Sequence, residues 1–324
     1  MISVAMCTYN GSKYLAEQLN SIIHQSLQPD EIVICDDCSK DNTVVIAKEV
    51  LKNWNGHSQI IVNEHNLGFI KNFEKAIGLC HGNIIFLSDQ DDVWSPDKIE
   101  LMVRVFDANP NVFLVFHDAE IVDSKLNTLY ESFWKTTLHF DYRTFQNLNY
   151  TRLYESNVVQ GSACAFRREV YNRAIPFITE AFHDEWLALV ASTLGKIYAL
   201  PRNLMKYRQD NNALGGLPTP LRLKVSNFIK KLPNKYSLDL KNLKNRHTLM
   251  THFVDRYKSD LNPNTLELEE FTWYLEKRID ALQHLNLKNI CSFKKYKKFY
   301  PFENRAFLIF SKDILEIVGM KILK

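Results

Sequence analysis

Long apolar runs are missing from this chain. No stretch reaches the roughly 18–20 residues that a bilayer-spanning helix needs, which excludes an integral helical membrane protein. Glycine and proline are scarce, ten each in 324 residues, too few for a collagen-like or disordered chain. There is no internal repeat and no low-complexity tract. The opening Met1-Ile2-Ser3-Val4 has no basic stretch leading into an apolar core, so no secretory signal is expected and a cytoplasmic location is. The six cysteines are scattered, which excludes a small disulfide scaffold. Cys35-Asp36-Asp37-Cys38 is a lone CxxC without a second pair, a weak zinc or redox signal; thiols packed near a strand end are the plainer reading.

What is present is the balance of a soluble globular protein, 46% hydrophobic and 24% charged. The net charge of +3 hides an asymmetry. Residues 1–216 hold 19 Lys and Arg against 26 Asp and Glu, whereas residues 217–324 hold 21 against 11. An acidic two-thirds joined to a basic third predicts two functional regions, 1–216 and 217–324, with Gly215-Gly216-Leu217-Pro218 as the hinge.

The first 120 residues alternate between strand and helix periods. Apolar strands are predicted at 2–7, 31–35, 59–63, 83–87 and 112–116, and helices at 12–25, 42–51, 71–80 and from Pro96 to Phe106. Such alternation predicts an α/β fold with a parallel, Rossmann-like sheet flanked by helices, binding its ligand beyond the carboxyl ends of the strands. Past residue 120 the pattern loosens, with a return to the sheet predicted at 158–166 and a helix at 183–194. Helical periods dominate beyond the hinge, at 219–231, 237–258, 265–285 and 304–323.

Chemistry concentrates at the predicted strand ends. Ser88-Asp89-Gln90-Asp91-Asp92-Val93-Trp94 places three carboxylates in four positions, and like charges that close repel unless a cation intervenes. Mg²⁺ or Mn²⁺ suits such oxygen ligands; an acidic turn capping the next helix is the other reading. Asp36 and Asp37 can accept from a nucleobase imide or a ribose hydroxyl, or can cap the helix at Asn42. Thr8-Tyr9-Asn10-Gly11 offers a hydroxyl, a stacking ring and a turn glycine, and is neither a P-loop nor GxGxxG. His183-Asp184-Glu185-Trp186 opens a helix, where a carboxylate serves as a general base or as a dipole-complementing charge.

In this order these motifs resemble glycosyltransferase family 2, the inverting enzymes of the GT-A fold. The resemblance rests on Cys7-Thr8-Tyr9-Asn10, Asp36-Asp37-x-Ser39, Asn66-Leu67-Gly68 and Asp89-Gln90-Asp91-Asp92 ahead of Trp94 and Pro96, and covers residues 1–216. SDQDDVW, Gly68 to Phe73, His183 to Trp186 and Tyr207-Arg208-Gln209 are similar to bacterial rhamnosyltransferases of cell-wall and O-antigen synthesis. The resemblance implies that Thr8, Tyr9, Asp36, Asp37, Asn66 and Lys71 hold the nucleotide. It implies that Asp89, Asp91, Asp92, Trp94, Gly161, Ser162 and Arg208 serve the donor sugar and diphosphate, and that Asp184 is the base. Asp89 and Asp91 would carry Mn²⁺ or Mg²⁺, joined by Asp210, which stands where the family often has a His. The implied donor is a dTDP- or UDP-sugar, with L-rhamnose from dTDP-rhamnose first, and the acceptor a saccharide or lipid-linked saccharide.

The basic third interleaves lysines with aromatics over 293–300, a pattern that suits an anionic membrane surface as well as a solvated face. A peripheral contact at the inner face of the cell membrane and a homo-oligomer are open expectations. Nucleic acid is not an expected partner, because the acidic first two-thirds would repel phosphate backbones. A nucleotidyltransferase is disfavoured because Thr8-Tyr9-Asn10-Gly11 lacks the basic group such enzymes carry after their first strand.

Overall fold

The computed structural model describes residues 1–147, 151–209, 225–260 and 265–285, with residues 310, 312–314, 317 and 320. They fall into two compact units, Met1–Asn149 with Asn157–Pro218, and Tyr150–Ser156 with Thr219–Lys324. Asp210, the Gly215-Gly216 hinge and the 293–300 lysine cluster lie outside the described residues.

The first unit is built on strands β1 (Ile2–Thr8), β2 (Glu31–Asp36), β3 (His57–Val62), β4 (Ile84–Ser88), β5 (Val93–Trp94), β6 (Val112–Val122), β7 (Thr128–Tyr130), β8 (Cys164–Arg167) and β9 (Lys196–Arg208). They form one sheet in the order β3-β2-β1-β4-β8-β6-β9-β5, with β7 paired to β6. The expected parallel run β3-β2-β1-β4 is present. The sheet is mixed beyond it, because β8 is antiparallel to both β4 and β6, and β5 is antiparallel to β9. The return to the sheet expected at 158–166 is therefore β8, shorter and later.

Helices α1 (Leu15–Ile23), α2 (Thr43–Leu51), α3 (Phe69–Leu79) and α4 (Lys98–Ala108) link the parallel strands; α5 (Tyr142–Asn147), α7 (Arg168–Ala174) and α8 (His183–Leu194) follow, and α6 (Thr151–Glu155) belongs to the second unit. Strand alternation decides which face each helix covers. Val4, Met6, Ile32, Ile34 and Phe86 join Leu15, Leu19, Ala47, Ile99, Met102 and Phe106 in one core cluster under α1, α2 and α4. Their neighbours Ala5, Val33, Ile85 and Leu87 are just as buried, on the other face. There α3 packs on β1 and β2, and α8 on β6 and β9. Each fully buried Leu, Ile or Phe adds about 1.5–3 kcal/mol.

β9 was not expected from the sequence. Its charges and Pro201 mask the strand period, and the register to β6 slips where His117 pairs with Leu200 but Asp118 with Asn203. Pro201 and Arg202 form that bulge, where a missing N–H costs no ladder bond. The described residues of the second unit are mainly helical, as expected, but α9 (Val225–Tyr257) is one helix where two were expected, followed by α10 (Thr265–Gln283). Its core includes Ala281, Leu282, Leu285 and Ile317, and Arg278 makes a buried two-pronged contact with Asp313 at 2.8 and 2.9 Å.

Glu31 staples the end of the sheet opposite the acidic loop. Fully buried, it accepts from Ser3 Oγ at 2.5 Å and from His81 N and Nδ1 at 2.7 Å each. Burial works to raise its carboxyl, yet these donors win and hold it below its ordinary 4.5. This contribution is complete above about pH 4.5 and fades as pH falls through the lowered value. Glu31→Ala should cost about 1–3 kcal/mol, chiefly through the orphaned, buried Ser3 hydroxyl. Urea unfolding checks it, and an unshifted midpoint would contradict the staple.

Candidate active site

The parallel register gathers the polar strand ends. Thr8 pairs with Asp36, and Met6 with Ser88, so all three strands end at one edge. Asp36 is fully buried and accepts from Thr8 Oγ1 at 2.8 Å, Ser39 N at 2.9 Å and Ser39 Oγ at 2.5 Å. Asp37, also buried, accepts from Asn63 Nδ2 (2.8 Å), Leu67 N (2.7 Å) and Gly68 N (2.9 Å). Asn66 closes this loop, donating from Nδ2 to the Asp37 carbonyl at 3.2 Å. Both carboxylates thus organise loops, and Tyr9, next to Thr8, is half exposed to solvent at 51%.

Gln90 ties the first loop to the acidic one. Its Oε1 accepts from Tyr9 N at 2.8 Å and its Nε2 donates to Tyr9 O at 3.1 Å. A Cβ at Gly11 would fall 2.1 Å from that Oε1, so only glycine allows the approach.

The three carboxylates of the acidic loop differ. Asp89 and Asp91 are half-buried, and Asp92 is fully buried. Burial, and then the Asp91 charge, push the Asp89 carboxyl up; the Asp92 carboxyl is raised by burial, Asp91 and Asp89. Asp92 Oδ1 accepts from Arg208 N at 3.2 Å, and its Oδ2 has no hydrogen-bond partner among the described residues. Behind the loop sits Lys98, also fully buried. Its Nζ donates to the Ser162 carbonyl at 2.6 Å and lies 3.7 Å from the centre of the Trp94 ring. Burial pulls this ammonium down to about 7, against the attraction of Asp92, Cys164 and Asp89.

Arg208, expected at the diphosphate, points inward. It donates to the Asp91 carbonyl (2.8 Å), the Ser124 carbonyl (2.7 Å) and Glu17 (2.6 Å), and stacks 4.1 Å over Tyr14. Trp94 is buried beneath the loop, its N donating to Ser21 Oγ at 3.0 Å. Lys71 binds Glu74 at 2.6 Å and the Phe177 carbonyl at 3.0 Å. The next residue of α3, Asn72, and its neighbour Phe73 are buried.

Asp184 enters from the other side, in the first turn of α8. Asn157 Nδ2 and Glu185 N donate to its Oδ1 at 2.9 and 2.7 Å, and Gly161 N to its Oδ2 at 2.8 Å. A Cβ on Gly161 would come within 2.8 Å of His183 Nε2, so the segment can approach this closely only as glycine. Burial raises the Asp184 carboxyl to about 7, aided by Glu185 and by the charge of Asp89, while the Glu185 and Gly161 peptides oppose the rise. Asp89 is thus near enough to act on Asp184, and both Asp89 and Asp37 act on Cys7. His183, stacked on Phe73 at 4.0 Å, is driven down to about 3 by burial and stays neutral.

Among the described residues no three His, Cys, Asp or Glu side chains group as a metal cage. The acidic loop nevertheless fits a Mg²⁺-like ion chemically. Such ions are held by one or two carboxylates plus substrate phosphates, and Asp89 and Asp91 offer oxygen donors whose mutual repulsion a cation relieves. Free thiols stand at Cys7, Cys35, Cys38, Cys80 and Cys164, and Cys38 Sγ donates to the Asn63 carbonyl, as the plainer reading of CxxC expects.

Sequence reasoning quoted Gln90 and Tyr207 within motifs without giving them a role, and missed Asn157 and Lys98. Tyr207 faces the acidic trio, whose charges add to burial in raising its hydroxyl. A signal existed for Lys98, a lone cation one turn before Met102 on the stripe that also carries Ile99 and Phe106.

Comparison with known proteins is consistent with this geometry. The glycosyl transferase family 2 profile matches residues 3–174. A Haemophilus influenzae protein named as an uncharacterized glycosyltransferase is 26% identical over 290 residues, 84% of this chain and 88% of that protein. The dTDP-rhamnosyl transferase RfbG of Shigella flexneri is 30% identical over 223 residues, 65% of this chain and 73% of that one. The structure of S. aureus TarS 1-349 in complex with UDP-GlcNAc aligns with 100% of this chain and 92% of that one, at a TM-score of 0.57 and 16% identity, a likeness of fold. With the profile matching more than half of its length, the chain belongs to glycosyl transferase family 2 and is a glycosyltransferase.

Proposed function

We propose that this enzyme inverts the anomeric carbon of L-rhamnose as it moves the sugar from dTDP-rhamnose to a saccharide hydroxyl in surface polysaccharide synthesis. The 30% identity to the Shigella dTDP-rhamnosyl transferase supports the donor. The reaction reading is carried by Asp184, a carboxylate held by Asn157 and Gly161 within electrostatic reach of the acidic loop.

Thr8, Tyr9 and Asp37 frame the nucleoside end of the donor, with Asp36 fixing Thr8 and Ser39 from beneath. The diphosphate meets Asp89 and Asp91, which would hold Mn²⁺ or Mg²⁺ with Asp210 as a further oxygen donor. Bound there, the cation offsets the charge that grows on the departing nucleoside diphosphate. Gly161 and Ser162 border the sugar. Asp184 Oδ accepts the proton of the attacking hydroxyl as its oxygen closes on the anomeric carbon opposite the leaving group. One base and no protein nucleophile serve a single displacement. The basic region 217–324 is assigned to an anionic membrane surface, on the strength of its charge excess.

Hydrolysis of the donor to free sugar and dTDP, with water in the acceptor's place, gives an assay that needs no identified acceptor. Asp184→Asn should fold and bind dTDP yet lose turnover by about 10²-fold or more; retained turnover would remove Asp184 as the base. Because the base must be ionised and its carboxyl sits at about 7, turnover should rise with pH up to about 7 and level off above it. A profile flat from pH 5 to 8 contradicts this assignment. Calorimetry with dTDP, UDP and GDP, each with and without Mn²⁺, should show dTDP preferred and its affinity lowered by metal removal. Preference for UDP would shift the donor to a UDP-hexose, and binding of none would overturn the reading.

A further inference from the structure

Lys98 is an expensive residue to place where it stands. It occupies the apolar stripe of α4 beside Ile99, with no solvent exposure. Withdrawing an ammonium from water costs several kcal/mol, and an apolar side chain there is often neutral or stabilising by comparison. A role in packing alone therefore does not account for it.

Its contacts join segments that are distant in sequence. On one side the ammonium is drawn to Asp92, whose Oδ2 is buried without a hydrogen-bond partner, and to Asp89. On the other it donates to the Ser162 carbonyl, 64 residues along the chain. The preceding residue, Gly161, donates its N–H to Asp184. A hydrogen-bonded path thus runs from Lys98 through Ser162 and Gly161 to the Asp184 carboxylate, and the end of the acidic loop meets Lys98 at the Trp94 ring, within the field of Asp92 and Asp89. Trp94 caps the ammonium from the ring face at 3.7 Å and keeps it from turning away.

We propose that Lys98 is a positioning residue that sets the spacing between the acidic loop and Asp184, and with it the distance between the leaving group and the base. This deepens the transferase reading and rests on it. Lys98 touches neither substrate nor reacting atoms. A displacement of about 1 Å at such a site can cost about 10²-fold in rate while leaving binding of one substrate end intact.

The test compares wild type, Lys98→Met, and the double variant Lys98→Met/Asp92→Asn, which removes both buried ionisable groups and keeps their volumes. The single variant leaves Asp92 without its counter-charge and can fail to fold for that reason alone. Folding is followed by cooperative melting, dTDP affinity by calorimetry, and turnover by hydrolysis of dTDP-rhamnose. The expected result is a folded double variant whose kcat falls about 10–100-fold while its Kd for dTDP stays within about threefold of wild type. A folded double variant with wild-type kcat would overturn the proposal, and so would failure of both variants to fold, which would assign the charge pair to the fold itself. The wild-type arm separates this from the parent reading. If wild type binds no nucleoside diphosphate, the transferase reading fails; if it binds and hydrolyses donor but the double variant matches it, only the role of Lys98 fails.

Discussion

Repulsion among carboxylates crowded at one edge of a sheet is the constraint around which this structure is arranged. Strand β4 delivers Asp89, Asp91 and Asp92 within four residues, and burial of the loop sharpens their mutual repulsion. The protein answers from behind. Lys98 brings a positive charge through the apolar layer, and Arg208 holds the Asp91 carbonyl and donates its backbone N–H to Asp92. Arg208 also binds Glu17 and Ser124, so the end of β9, the turn after β6 and helix α1 share one anchor. These contacts keep the acidic loop in one shape, with Asp89 and Asp91 half-buried at its outer side.

The same logic explains the division of labour among the aspartates. Asp36 and Asp92 face inward and are met by protein donors, so they shape loops, while Asp37 ties its own loop to the Leu67 and Gly68 peptides. Asp89 and Asp91 are half-buried at the loop's outer side, and Asp184 keeps a raised carboxyl because burial outweighs the peptides that donate to it. A base poised near neutrality needs that balance. Preorganisation comes from backbone as much as from side chains: Gln90 grips the Tyr9 peptide at both its N–H and its C=O, and Gly161 lets a peptide N–H approach Asp184.

Much of the fold was legible because its signals are local. EIVIC, NIIFL and VFLVF read as strands, and the stripes of α1, α3 and α4 as helices, since burial on a sheet or under a helix imposes a period on neighbouring residues. β9 was not legible: its bulge at Pro201 and its charged residues break that period, and it is a strand only because β6 lies alongside. The antiparallel placement of β8 was hidden for the same reason, since pairing direction is a property of two strands and not of one. At the site, the partners of Arg208 and Lys71 were likewise beyond the reach of the sequence. Both were placed from resemblance near the nucleotide-sugar, and both have their donors engaged by protein partners.

The amino-acid sequence by itself determined the alternation of strands and helices, the acidic run after the fourth strand and the helix that Asp184 opens, because each follows from residues close together in the chain. Only the tertiary structure decided that Asp184 reaches the field of Asp89, that Gln90 meets the Tyr9 peptide, and that Lys98 stands under the acidic loop against Ser162. Those relations cross 64 to 95 positions of chain, and electrostatics and hydrogen bonding act through space, so they exist only once the sheet has brought the segments together.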